Sequence, residues 1–250
     1  MHCKNCDENV NSNYCGNCGQ KSTVGAINLS TFINEISENV FQINKGIFFT
    51  LKELFLRPGD SIREFISGKR KKHFKPIAYA LTFSTIYFLI SRLTNENTWM
   101  NDVISGFTNA ASEIDENTKV PVLLIWLSQN FAYATLLSLP IFSFASFICF
   151  WGLRRNYLEH MVLNAYITGQ QAIFYTIFLL PKVFINDIYF LELIPFVVTV
   201  LYTFWVFWQF FKEGNKVLII IRSFFTYSIY LFLSLGVLFI IMAIQNIGGS

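Results

Sequence analysis

The feature that most limits the fold is the series of apolar runs that starts at Pro76 and continues to the end of the chain. Several reach the roughly 20 residues that a helix needs to cross roughly 30 Å of hydrocarbon. Within a bilayer every backbone polar group must be satisfied inside its own segment, so such runs fold as helices. The expected fold class is an all-α membrane protein with five spans. These lie at about 76–92, within 121–152 (best window 129–151), and at about 162–181, 188–211 and 222–244. Pro140 lies inside the second and is expected to kink it. Charged residues are only 14% of the 250, and the deficit falls after Lys75, whereas roughly a quarter of a soluble domain is charged.

Just ahead of the first span lie Arg57, Arg63, Lys69, Arg70, Lys71, Lys72 and Lys75. Cations against a first span stay on the cytoplasmic side and orient the later spans. They also form a surface for anionic lipid headgroups or for a partner. The later loops alternate accordingly. Loop 93–119 holds Glu96, Asp102, Glu113, Asp115 and Glu116 against Lys119 and reads as outside. Loops 152–161, with Arg154 and Arg155, and 212–222, with Lys212, Lys216 and Arg222, read as inside. Five spans then place the N-terminus in the cytoplasm and the C-terminus outside. No apolar signal segment opens the chain, which agrees with a cytoplasmic head.

That head, residues 1–25, carries Cys3-x-x-Cys6 and Cys15-x-x-Cys18. In a reducing cytosol such pairs are metal ligands rather than disulfides. Two Cys-x-x-Cys turns supply a tetrahedral four-sulfur site, which suits Zn2+; a closed site of this kind is structural, not catalytic. So short a segment has no core, and the metal supplies its folding energy. Lys4 and Lys21 are opposed by Asp7 and Glu8, so there is no basic footprint for nucleic acid. A protein contact is expected instead.

Residues 26–75 read as amphipathic helices at the membrane surface. One runs from Asn28 or Ser30 through Phe41, one from about Lys45 to Leu56, and a short third, capped by Asp60 or Ser61, ends at Gly68. They either lie in the headgroup layer or pack on the bundle, because periodicity does not separate the two.

The polar candidates are Glu159, His160, Asn164 and Gln171. Asn164, Thr168 and Gln171 recur at helical spacing and can form one stripe, lining a cavity or bonding a neighbouring helix. Glu159 beside His160 could relay protons. There is no phosphate loop, nucleophile elbow or His-Glu-x-x-His motif.

Tyr14, Cys15, Cys18, Gly19, Gln20 and Lys21 form a ribbon ending in Cys-Gly-Gln-Lys. Lys45, Gly46, Thr50, Leu54, Arg57, Pro58 and Gly59 give a Lys-Gly…Thr-x-x-x-Leu…Arg-Pro-Gly segment, and Gly68, Lys69 and Arg70 precede Pro76. Tyr157, Glu159 and His160 add a Tyr-x-Glu-His pattern. In these motifs the chain resembles an uncharacterised family of bacterial membrane proteins with an N-terminal zinc ribbon. The resemblance implies a ribbon joined to membrane helices in the bacterial inner membrane, and implies no activity. The expected function is non-enzymatic: the ribbon mediates a protein contact or regulates the bundle, in contact with membrane lipids and compatible with self-association. The alternatives are small-solute or lipid transport along the polar stripe, and a membrane-embedded enzyme using Glu159 and His160.

Overall fold

A computed structural model describes residues 1–25, 27, 46–114, 121–182 and 190–248. Among them the helices are α1 (Gly46–Leu56), α2 (Pro58–Ser67), α3 (Pro76–Leu93), α4 (Trp99–Ile114) and α5 (Val122–Gln129), followed by α6 (Phe131–Cys149), α7 (Tyr157–Lys182), α8 (Phe190–Phe210) and α9 (Lys216–Gly248). The only β pairing among the described residues is two isolated bridges in the head. The expected helix from Asn28 or Ser30 to Phe41 lies outside the described residues.

Among the described residues four helices are long and apolar enough to cross a membrane: α3, α6, and the segments Leu193–Phe210 of α8 and Lys216–Ile244 of α9. Helix α7 is as long, 26 residues, or about 39 Å at 1.5 Å per residue, but His160, Asn164, Gln170 and Gln171 dilute its apolarity. It is nevertheless the hub. From Tyr157 to Thr176 none of its residues is exposed. A central helix needs no lipid-compatible face, so it can carry the polar residues. Helix α9 is the opposite case: only 6% of its span is buried, against 44% for α3 and α6.

Contacts along α7 give the relative directions. Tyr79 meets Gln170 and Tyr87 meets Tyr175, so α3 and α7 run the same way. Ser146 near the end of α6 meets His160 and Asn164 near the start of α7. Phe131 at the start of α6 clusters with Leu179 near the end of α7. Thr203 meets Gln171, while Phe211 beyond α8 lies against His160. Thus α6 and α8 run antiparallel to α7.

Three sequence expectations shift. The second apolar run is two helices, α5 and α6, broken at Asn130 (φ −126°, ψ 57°), while Pro140 sits inside α6. Loop 93–119 contains a helix, α4, whose Ile104 packs with Leu124 and Met242. And α2 starts at Pro58, with Arg57 at its cap position and no side-chain cap bond; Asp60 is already in its first turn. Proline is favoured there because the first-turn N–H has no helical partner. Helices α1 and α2 bury Leu54, Ile62, Phe65 and Ile66 in the main core, together with residues of α7 and α8.

Candidate metal centre and its joint with the bundle

The two Cys-x-x-Cys turns have the same backbone bonding, offset by twelve residues. Cys3 N–H donates to Glu8 O at 2.9 Å, and Cys15 N–H to Gln20 O at 2.8 Å. Asp7 N–H donates to Cys3 O at 2.9 Å, and Gly19 N–H to Cys15 O at 2.8 Å. Asp7 (φ 65°) and Gly19 (φ 70°) take the left-handed conformation that closes each turn. The bridges His2–Asn9 and Tyr14–Lys21 repeat the match. The offset is visible in the sequence as Cys3-x-Asn5-Cys6 and Cys15-x-Asn17-Cys18.

This symmetry brings the four sulfurs within 4.8 Å of one another. Cys3 Sγ to Cys18 Sγ and Cys6 Sγ to Cys15 Sγ are both 3.5 Å. A tetrahedral ion with bonds of about 2.3 Å separates its sulfurs by about 3.8 Å, so the set fits one ion at its centre. The thiols also differ in acidity. The N–H groups of Cys18 and Asn17 bring Cys15 down to about 7. Cys6 accepts from the Glu8 backbone, which lowers it, but burial and the neighbouring sulfurs raise it to about 12. All four sulfurs become thiolates together only around a cation.

One side chain ties this centre to the rest of the molecule. Gln20, 5% exposed, donates from Nε2 to Gly68 O at 2.9 Å, and its Oε1 accepts from the N–H groups of Arg70 and Lys71, each at 3.1 Å. It thereby bonds three backbone groups of the loop between α2 and α3. That loop begins at Gly68, whose φ of 115° gives α2 its left-handed cap. A Cβ at Gly68 would stand 2.8 Å from Lys4 Cδ of the ribbon. Arg70 donates to Gly25 O at 3.1 Å, and its guanidinium lies over the Phe65 ring. Ile27 is buried in the main core. Gln20 was not among the sequence-predicted site residues. Its signal is its position just after the second knuckle, where the first has Glu8.

The cationic set divides by role. Arg57 pairs with Glu53 at 2.5 Å and Glu64 at 2.9 Å. Arg63 turns inward: it bonds Asp60, Gln209 O, and Phe210 O at 2.8 Å, covering carbonyls at the end of α8. A cation there complements the helix dipole. Arg70 belongs to the joint, and Lys75 stands at the cap position of α3. Lys69, Lys71 and Lys72 are exposed.

Beneath the joint His73 is buried between α1 and α2. Its Nδ1 lies 2.8 Å from Lys69 O and its Nε2 3.0 Å from Ser61 Oγ. The carbonyl only accepts, so Nδ1 carries the proton, Nε2 accepts from Ser61, and the ring is neutral. Burial lowers its pKa below the usual value. The unfolded chain therefore takes up a proton that the folded chain refuses. Stability is full above the unfolded value of about 6.5 and is lost as pH falls toward the folded pKa. We expect the fall in melting temperature between pH 7 and pH 5 to be smaller in His73→Gln than in the wild type. Acid release of metal is common to both chains, so the difference isolates His73.

The polar candidates on α7 point to different neighbours. Glu159 accepts from Asn156 N–H at 3.1 Å, and Asn156 Oδ1 accepts from Glu159 N–H at 2.8 Å. This reciprocal pair is a capping box at the start of α7, and Arg155 lies 3.8 Å away. His160 faces the core instead, with Nδ1 2.9 Å from Ser146 Oγ. Asn164 donates to the same hydroxyl at 2.8 Å. Gln171 reaches Thr203 and Tyr227, both at 3.1 Å. Ser146, Thr203 and Tyr227 lie on helices remote in sequence, and no local pattern marks them. Gln171 also lines a cavity of about 500 Å³, whose lining does not include His160 or Asn164. His160, Asn164 and Gln171 bond across helices, and the bonds of Glu159 and His160 go to different partners.

Residues 44–88 match a family described as a protein of unknown function (DUF3667). Over this segment the chain is similar to that family. The segment holds α1, α2, the loop that accepts Gln20, and most of α3, so it forms the bundle side of the joint. No curated protein and no solved structure matches the chain.

Proposed function

We propose that this is a non-enzymatic protein of the bacterial inner membrane whose ribbon holds one structural zinc ion and regulates the packing of the membrane bundle. The observation that carries this reading is Gln20, which ties the second knuckle to Gly68, Arg70 and Lys71. Zinc and iron–sulfur both suit four thiolates, and the fit of the four sulfurs to a single tetrahedral ion supports zinc. Order at the metal is then transmitted to the loop that leads into α3. The contact register of α7 beside the four apolar helices supports five crossings. The distribution of cations supports a cytoplasmic ribbon and an external C-terminus. The exposure of Lys69, Lys71 and Lys72 supports contact with anionic headgroups, and a protein partner would meet the ribbon.

The test is linkage between metal and joint. Wild type and Gln20→Ala are purified in detergent, zinc per chain is measured by mass spectrometry, and bundle unfolding is followed with and without chelator. Both chains are expected to hold one zinc. Gln20→Ala is expected to lose about 1–3 kcal/mol, because it removes a buried partner from the loop backbone. Chelation should then destabilise the wild-type bundle but barely affect the variant, since both changes break the same connection. Additive losses would contradict the proposal.

A further inference from the structure

The half of the bundle away from the ribbon encloses the cavity of about 500 Å³, between α3, α6, α7, α8 and α9. This lies within the roughly 300–1,000 Å³ typical of small-molecule sites. Two hydroxyls in its wall are anomalous. Ser84 is 0% exposed and Thr135 3% exposed, and neither hydroxyl has a hydrogen-bond partner among the described residues. Other buried hydroxyls in the same bundle return to the carbonyl four residues back, as Ser143, Thr203 and Ser223 do. That local bond is always within reach on a helix. Ser84 and Thr135 forgo it, on two different helices, and both line the cavity. A buried hydroxyl without a partner is costly, so a ligand oxygen is the missing half.

The rest of the wall specifies the ligand. Its polar groups include Gln171, Tyr175, Thr199 and Tyr230, and among the described residues its one charged side chain is Asp102, on α4. Among the described residues no lysine, arginine or histidine lines it, so no described side chain there neutralises a phosphate or carboxylate. On one side the rim consists of Phe196 on α8 with Phe224 and Leu231 on α9. All three are exposed, on helices apolar enough to lie in hydrocarbon. An apolar chain can therefore enter sideways between α8 and α9. We infer that the cavity binds a neutral lipid: an apolar chain carrying hydroxyl or carbonyl oxygens and no charged headgroup. Ser84 and Thr135 donate to those oxygens, and the phenylalanine rim covers the chain.

The full-length protein is reconstituted in phosphatidylcholine vesicles with a diacylglycerol bearing a photoreactive group in one acyl chain. Parallel vesicles carry phosphatidic acid with the same chain. The diacylglycerol is expected to label peptides containing Tyr175, Phe196 or Tyr230, and unlabelled diacylglycerol should displace it. Phosphatidic acid should label them at least about tenfold less. Ser84→Ala with Thr135→Val removes both donors with little change of volume and should lower labelling about tenfold, at a melting temperature no lower than that of the wild type. Should the double variant fail to fold, Thr135→Val alone is expected to give a several-fold drop. Equal labelling by phosphatidic acid, label spread evenly over the outer faces of α8 and α9, or labelling indifferent to folded variants would overturn the inference.

Discussion

Cys15→Ser is expected to unfold residues 1–25 while the membrane helices remain folded. The head has almost no core of its own: Cys3, Val10 and Cys15 are its buried cluster. Comparable small zinc domains draw about 10–16 kcal/mol of apparent binding energy from the ion, so losing one of four thiolates removes most of what holds the turns closed. Trypsin should then cut after Lys4 and Lys21 at least about tenfold faster, as expected when a local unit opens. The bundle keeps its own core around α7, so helical content should fall little. Its melting temperature should drop by an amount similar to that of Gln20→Ala, because both changes release the same loop. Cys149, half-buried against the bundle core, is the matched control. Cys149→Ser should leave trypsin cleavage at the head unchanged.

The second large effect is expected at Gly59. Helix α2 crosses the end of α8 here with almost no space. A Cβ on Gly59 would lie 2.4 Å from both Gln209 Cβ and Phe210 N, the latter backbone that cannot move aside. Gly59→Val therefore forces α2 off α8. That costs the bond from Gly59 N–H to Gln209 Oε1 at 3.1 Å, the Lys212–Asp60 pair at 2.6 Å, and the Arg63 bonds to the α8 carbonyls. We expect a loss of about 3 kcal/mol or more, at the upper end for overpacking. It should appear as a collapse in the yield of monodisperse protein in detergent. The control is Gly106→Ala in α4, where a Cβ meets nothing within 4 Å. It should be neutral or slightly stabilising.

Four apolar spans were legible because lipid imposes one pattern, length with apolarity, that tertiary context rarely overrides. Helix α7 fits that pattern least, since a central helix can hold polar groups, and its polar spacing suggested a single stripe. In the fold Asn164 bonds Ser146 on α6, while Gln171 bonds Thr203 on α8 and Tyr227 on α9, and of the three only Thr168 and Gln171 line the cavity. Helix α4 was hidden by its acids, which mark a solvated loop as readily as a polar helix face. The break at Asn130 was missed because Pro140 is the stronger sequence signal, although a proline can remain inside a packed helix. The cysteine centre was plain, because few patterns specify chemistry as tightly as paired knuckles. Its attachment was not: a glutamine reads as surface until the backbone it bonds, some fifty residues away in the chain, is known. Glu159 suggested acid–base chemistry, yet Asn156-x-x-Glu159 is also a helix-start signature, and the bonding is that of the signature.

Hydrogen exchange at Arg70 and Lys71, with and without the metal, tests the central claim most directly. Both amides donate to Gln20 Oε1. Arg70 N–H is shared with Gly68 O at 3.0 Å, a carbonyl that Gln20 itself holds in place, so protection at the two positions reports the joint. The account predicts slow exchange in the metal-loaded protein and a loss of protection on chelation, larger at Lys71 than at Arg70, with amides in the middle of α7 unaffected. Protection at Arg70 and Lys71 that is indifferent to the metal would contradict it.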